Sequence, residues 1–449
     1  MIAGRKGGIR AAMLPLGILP LLGLASSAHA ELPAAPQIGN IEGSDTAWLL
    51  VSAALVLMMT IPGLALFYGG MVRRKNVLSI LMQSFILVGL VSIQWIIFGY
   101  SLAFAPGSAI IGALSWVGLA GVSAVHPYAA YSATVPHQAY MIYQCMFAVI
   151  TPALITGAIA ERMSFKGFLL FSLLWTTLIY DPLAHWVWGV DGWIHRMGAL
   201  DFAGGTVVHI SSGAAALAGA LLVGKRKGFM REPMPPHNLT LTITGAGLLW
   251  VGWFGFNAGS SLAANGLAVS AFVATHMGAA AATLSWVFAE WMILGKPTTL
   301  GAASGAVAGL VAITPASGYV GPIPAVIIGM IAGVVCFSAV RMKTRFGYDD
   351  ALDVVGVHMV GGILGAVLTG FFASLAVNAA GADGLFFGNP HQVIVQLIAV
   401  ASSVLFSFIG SSILLKVTDM LVGIRVDAES EQIGLDLTEH EESAYAFEA

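Results

Sequence analysis

Long apolar blocks fill this chain, parted by short polar and basic stretches. Eleven of them read as membrane-spanning helices, near residues 47–68, 77–104, 138–160, 166–187, 203–224, 239–257, 266–293, 299–314, 322–341, 351–373 and 391–420. Ahead of them, residues 1–30 read as a secretory signal peptide. Arg5, Lys6 and Arg10 form its basic region, Met13 to Leu24 its apolar core, and Ala28-His29-Ala30 a small-x-small cleavage pattern. The rival is an uncleaved first span. Cleavage puts the mature start at Glu31 and leaves residues 31–46 as a periplasmic segment.

The basic residues test the topology. Arg73, Arg74 and Lys75 follow span 1, Arg162 and Lys166 follow span 3, and Lys225, Arg226, Lys227 and Arg231 follow span 5. Lys296 follows span 7, Arg341, Lys343 and Arg345 follow span 9, and Lys416 and Arg425 close span 11. Only Arg196 falls in an outer loop. This positive-inside asymmetry predicts an outer N-terminus and a cytoplasmic C-terminus.

The blocks also repeat. Asp201 to His209 (DFAGGTVVH) opens span 5, and Asp350 to His358 (DALDVVGVH) opens span 10. In each, an aspartate stands eight residues before a histidine that begins an apolar run. Aspartate is a preferred helix N-cap. Eight helical residues would set the imidazole roughly 12 Å deeper than the aspartate. A five-span unit is odd-numbered, so the two halves, 47–224 and 239–373, should be inverted in the membrane. Inverted repeats put a shared site near the bilayer midplane. Span 11 is then an addition, read as a tilted helix along the outside of the bundle.

Composition agrees. Of 449 residues, 58% are hydrophobic and 9% charged, and the mean hydropathy is +0.87. The fold class expected is an all-α polytopic membrane protein in contact with a lipid bilayer. A net charge of −3 argues against nucleic-acid binding. Cys145 and Cys336 read as small buried hydrophobes. No other His, Glu or Cys stands at metal-ligand spacing with the two histidines, so neither a metal nor a cofactor is expected. The tail, residues 422–449, turns acidic. It reads either as a solvated extension or as a docking segment.

An ionisable side chain at membrane depth is a functional candidate by default. Burial disfavours the charged imidazolium, so His209 and His358 would be neutral or singly charged. Facing each other, they could share a hydrogen bond and offer a ring nitrogen to a small polar guest. Such a pair could pass a neutral molecule or relay a proton. Asp201 and Asp350 read as helix caps, and Asp201 also as a support for a cation entrance. Phe147, Trp188 and Phe256, with Ser260, are either interfacial anchors or a cage for a small cation.

Several stretches carry a family resemblance. The run from Asp201 to Arg226 (DFAGGTVVHISSGAAALAGALLVGKR) closely resembles the signature of the ammonium transporter (Amt) family, on its bacterial branch. TIPGLALFYGG (Thr60–Gly70), GAIAERMSF (Gly157–Phe165), GWFGFNAGS (Gly252–Ser260), GVHMVGG (Gly356–Gly362) and GLDLTEHEESAY (Gly434–Tyr445) match as well. The resemblance implies a homotrimer of eleven-helix subunits in the bacterial inner membrane, with the transporter domain over 47–421 and each subunit holding its own hydrophobic pore. It implies an outer ammonium recruitment site at Phe147, Trp188 and Ser260, and a gate of Phe147 and Phe256. His209 and His358 would be twin pore histidines, supported by Asp201. Tyr143 stands where many relatives carry phenylalanine, and its hydroxyl could bond to the guest or to water. His276 lies outside the pore pattern and reads as a packing or subunit contact. The tail and Lys225–Arg231 would dock a PII-type signal protein. Transport of ammonium or ammonia is therefore expected. One rival is an ammonium-sensing receptor with little flux. The other is a membrane enzyme, which would lack a paired carboxylate or cysteine at depth.

Overall fold

The apolar blocks become helices along the whole described chain, residues 40–445 of the computed structural model. The signal-peptide reading of residues 1–30 lies outside the described residues. Among them there is no strand, only two isolated bridges. The long helices are α1 Gly43–Met71, α2 Arg74–Phe104, α3 His137–Ile159, α4 Phe165–Arg196, α5 Gly205–Leu222, α6 Leu239–Ser261, α7 Gly266–Leu294, α8 Thr299–Ile313, α9 Pro322–Phe346, α10 Val355–Phe372 and α11 His391–Val422. Ten are long and apolar enough to cross a bilayer, whereas α8, at 15 residues, is shorter. Its length carries little mismatch cost, because its sides are buried against α6, α7, α9 and α10 rather than exposed to lipid.

The predicted blocks locate these helices within a few residues. Most deviations are extensions of helices into polar flanks. Trp188, expected in a loop, is the last residue of the main helical run of α4; the chain is extended at Gly189 and a separate helical turn, Trp193–Arg196, follows. A second expectation fails. The helices bearing the histidines start at Gly205 and Val355, not at the aspartates, so each histidine sits only roughly 5 Å into its helix. The aspartates still cap them from outside, through their carboxylates.

Burial sorts the helices. In α3 and α5, 94% and 83% of the most apolar window is buried, against 39% in α9 and 33% in α11. The first two are central and the last two peripheral, as expected for α11. α5 packs between α3 and α11 and crosses the start of α10. Small residues permit that crossing: a Cβ on Gly213 would come within 2.4 Å of the Met359 backbone nitrogen, and one on Gly362 within 3.1 Å of His209 Cβ. The two histidine-bearing turns are thereby pressed together.

At the end of the bundle that carries the tail, charges are paired. Arg226 bonds Asp349 (2.9 Å) and Glu161 (3.2 Å), and Arg73 bonds Glu161 (2.6 Å). Burial pushes the Glu161 carboxyl up, but the Arg226 and Arg73 guanidiniums overcome this and hold it below the usual range. Asp349 behaves the same way beside Arg226 and Arg162. The tail docks on this surface through α12 Ala428–Ile433 and α13 Leu435–His440. The Ser79 amide donates to Asp436 (2.9 Å), the Phe165 amide donates to Glu439 (2.8 Å), and Arg425 pairs with Glu431 (2.7 Å).

Candidate functional site

Two cavities meet at one pair of rings. Phe147, on α3, and Phe256, on α6, stack with centroids 4.2 Å apart and planes 25° apart. Phe147 lines an open vestibule of about 550 Å³, with Gln144, Trp188, Asp201 and Ser260 in the same wall. Phe256 lines a small apolar cavity with His209, His358 and Trp253. That cavity admits about 10 Å³ of water-sized space, the order of one small molecule.

The vestibule wall is built from the ends of α3, α4 and α6. Trp188 meets Phe147 edge-on at 5.8 Å, and its indole N–H donates to the Asp201 carbonyl at 2.9 Å. The Asp201 carboxylate accepts the amides of Gly204, Gly205, Thr206 and Val207 at 2.6–3.1 Å, which satisfies the first turn of α5. Burial pushes this carboxyl up, against the pull of those four amides. Asp350 caps α10 through Val354 and Val355 (3.1 and 2.8 Å). Its carboxyl is pushed up to about 6 by burial, which outweighs the opposing pull of Lys343. Ser260 Oγ donates to the Phe256 carbonyl at 2.9 Å.

Below the stacked rings, Nδ1 of His209 and Nδ1 of His358 lie 3.2 Å apart. For two neutral rings this contact requires one to carry its proton on Nδ1 and the other on Nε2. Both histidines stand on π-helical turns, Gly205–Ile210 and Val355–Met359, a widening often met at functional sites. His209 Nε2 is buried with no protein partner.

The geometry thus brings together Phe147, Trp188, Ser260, Phe256, His209, His358 and Asp201. It places Asp350 at the opposite end of α10's first turn and His276 away from the cavity, near Trp250 and Phe254. The Tyr143 hydroxyl does not face the vestibule. Trp253 was not singled out from the sequence, yet it stacks on His209 (5.4 Å) and donates to Thr314 Oγ1 at 2.8 Å. Its signal was its place within GWFGFNAGS, beside Phe256.

The model of the Ammonium Transporter Family matches residues 47–445. The chain belongs to this family. An ammonium transporter of Bacillus subtilis is 54% identical over 402 residues, covering 89% of this chain and 98% of the relative. Amt1 of Archaeoglobus fulgidus is 48% identical, covering 89% and 99%. Among solved structures, Mep2 of Saccharomyces cerevisiae superposes with a TM-score of 0.82 at 36% identity, covering 87% of this chain and 89% of Mep2. A protein described as a sensor Amt protein superposes at 0.81 with 28% identity, covering 88% and 98%. The family match extends through the docked tail to Tyr445, so in this ammonium transporter family member the tail lies within the shared domain.

Proposed function

We propose that this chain is an ammonium transporter that recruits NH4+ at Phe147, Trp188 and Ser260 and conducts NH3 past His209 and His358. One observation carries the reading: a stacked aromatic pair separates a polar vestibule from a small apolar cavity whose polar wall is an imidazole pair. A bare ammonium ion is expensive to desolvate in such a cavity, whereas ammonia is far less so. The cation is held by the faces of Phe147 and Trp188 and by the Ser260 oxygen. It loses a proton near the stacked rings: one N–H bond breaks, its electron pair stays on nitrogen, the proton passes to water in the open vestibule, and NH3 passes on. The unpartnered His209 Nε2 meets the guest below. Ammonia regains a proton on the far side. K+ has no proton to shed and is refused. Asp201 supports Trp188 through its carbonyl and α5 through its carboxylate; Asp350 plays the second role for α10.

The architecture proposed with this is eleven spans, two inverted five-helix halves over 47–224 and 239–373 plus α11, and a homotrimer in the inner membrane. The N-terminus is outside and the tail cytoplasmic. The tail surface with Lys225–Arg231 is offered to a PII-type partner.

Ammonium-evoked current in liposomes, with and without a pH gradient, tests the reading. Trp188→Leu should raise the half-saturating ammonium concentration by about tenfold, the weight of roughly 1–2 kcal/mol of cation–ring attraction. An unchanged value would remove the cage. Likeness to the sensor Amt protein keeps a second reading, a receptor with little flux. A receptor would not rescue a transporter-null strain on low ammonium at acid pH.

A further inference from the structure

Tyr143 lies on α3, one helical turn before Phe147, and is fully buried (0% exposed). It is absent from the vestibule wall, although its neighbours Tyr140, Gln144 and Phe147 are part of it. Its hydroxyl reaches across to the end of α6, within 2.9 Å of the Gly255 carbonyl, 2.8 Å of the Phe256 carbonyl and 3.1 Å of Ser260 Oγ. The Gly255 carbonyl already accepts the Gly259 amide and the Phe256 carbonyl accepts Ser260 Oγ, so the tyrosine proton is an additional donor at this end of α6, using a carbonyl's second lone pair. The slot is tight: a Cβ on Gly259 would stand 2.8 Å from the Tyr143 oxygen and 2.6 Å from Ser52 Cβ.

Proton counting gives the contact a direction. Tyr143 and Ser260 bring one hydroxyl proton each, and the acceptors within reach are the two carbonyls and each other's oxygen. When both protons are used here, the Ser260 proton points inward, to the Phe256 carbonyl or to Tyr143. A lone pair of Ser260 is then left toward the vestibule, where an N–H of a cation can donate to it. The same hydroxyl holds the backbone that carries the Phe256 ring.

We propose that Tyr143 is a positioning residue: its hydroxyl orients Ser260 as an acceptor and fixes the end of α6 beneath the Phe147–Phe256 stack. It thereby sets affinity for the recruited cation without touching it. The inference rests on the recruitment reading above and goes beyond it, since that reading leaves the Tyr143 hydroxyl without a role.

The test is uptake of labelled methylammonium by the full-length protein in liposomes, comparing wild type, Tyr143→Phe, Ser260→Ala and the double variant. One lost hydrogen bond should raise KM by about three- to tenfold in Tyr143→Phe, with the maximal rate within about twofold. In the Ser260→Ala background the same change should do clearly less, because the oxygen it orients is gone and only its hold on the end of α6 remains to be lost. An unchanged KM in Tyr143→Phe, or effects that simply multiply in the double variant, would overturn the proposal. Gly259→Ala, which crowds the hydroxyl and keeps its chemistry, should raise KM in the same direction. A fall in maximal rate at constant KM in both variants would mark Tyr143 as a packing residue and likewise overturn it. If Ser260→Ala and Trp188→Leu leave KM unchanged, the recruitment reading itself has failed, which is a separate result.

Discussion

The histidine pair and the ionic network at the tail end of the bundle are both buried and polar, yet they are built on opposite rules. In the Glu161–Arg226–Asp349 group each carboxylate meets a guanidinium at 2.6–3.2 Å, and both carboxylates are wholly covered. Around His209 and His358 no ion pair forms among the described residues, and one ring nitrogen lacks any partner. The first arrangement holds loops and helix ends together; the second leaves bonding capacity for something that moves through. Buried charge is tolerated where it is matched. Buried capacity left unmatched has a cost, and its location in a small cavity points to a guest.

Breaking each region should give different signatures. The largest effect is expected from the double change His209→Leu with His358→Leu. It should bring ammonium-selective flux in liposomes to background. Thermal unfolding should stay near wild type, because removing both partners of a hydrogen bond is close to neutral. Retained selective flux would refute the role of the pair. Next comes Glu161→Gln, which leaves Arg226 and Arg73 short of a partner and should cost about 3–5 kcal/mol of stability. Flux per folded molecule should change little.

That stability difference should also depend on pH. The folded Glu161 carboxyl is held below its usual range, so its contribution is present above about pH 4 and is lost as pH falls below that. Unfolding curves of wild type and Glu161→Gln should therefore converge in acid. A constant gap would contradict the pairing.

A smaller effect is expected from His358→Leu alone. It strands Nδ1 of His209 and should cost about 1–3 kcal/mol, more than the double change, which a comparison of melting temperatures would read directly. Smallest is Thr314→Val, which takes the acceptor from the Trp253 indole. It should cost about 1 kcal/mol and reduce flux only a fewfold, through a less firmly held His209 ring.

Much of this was legible along the chain because hydropathy is a local property. A run of about twenty apolar residues reads as a helix in lipid, since only a helix satisfies its backbone hydrogen bonds within the one segment. The block limits, the two Asp-to-His intervals and the aromatic candidates thus followed from composition and spacing, together with the family resemblance. The depth of the histidines did not, because a carboxylate can cap a helix that starts four residues further on. Nor did the role of Trp253, since an indole in an apolar helix reads the same whether it faces lipid, core or a cavity.

What the sequence alone determined, then, is where the helices run and which ionisable groups they carry into the bilayer. Only the tertiary structure decided that Gly213 and Gly362 let α5 and α10 approach until two Nδ1 atoms stand 3.2 Å apart. It also decided that the Tyr143 hydroxyl turns to the end of α6, and that an acidic tail folds back onto Ser79 and Phe165. Each of these contacts joins residues more than a hundred positions apart. Their register is set by side-chain volume and close packing across helices, which no local pattern encodes.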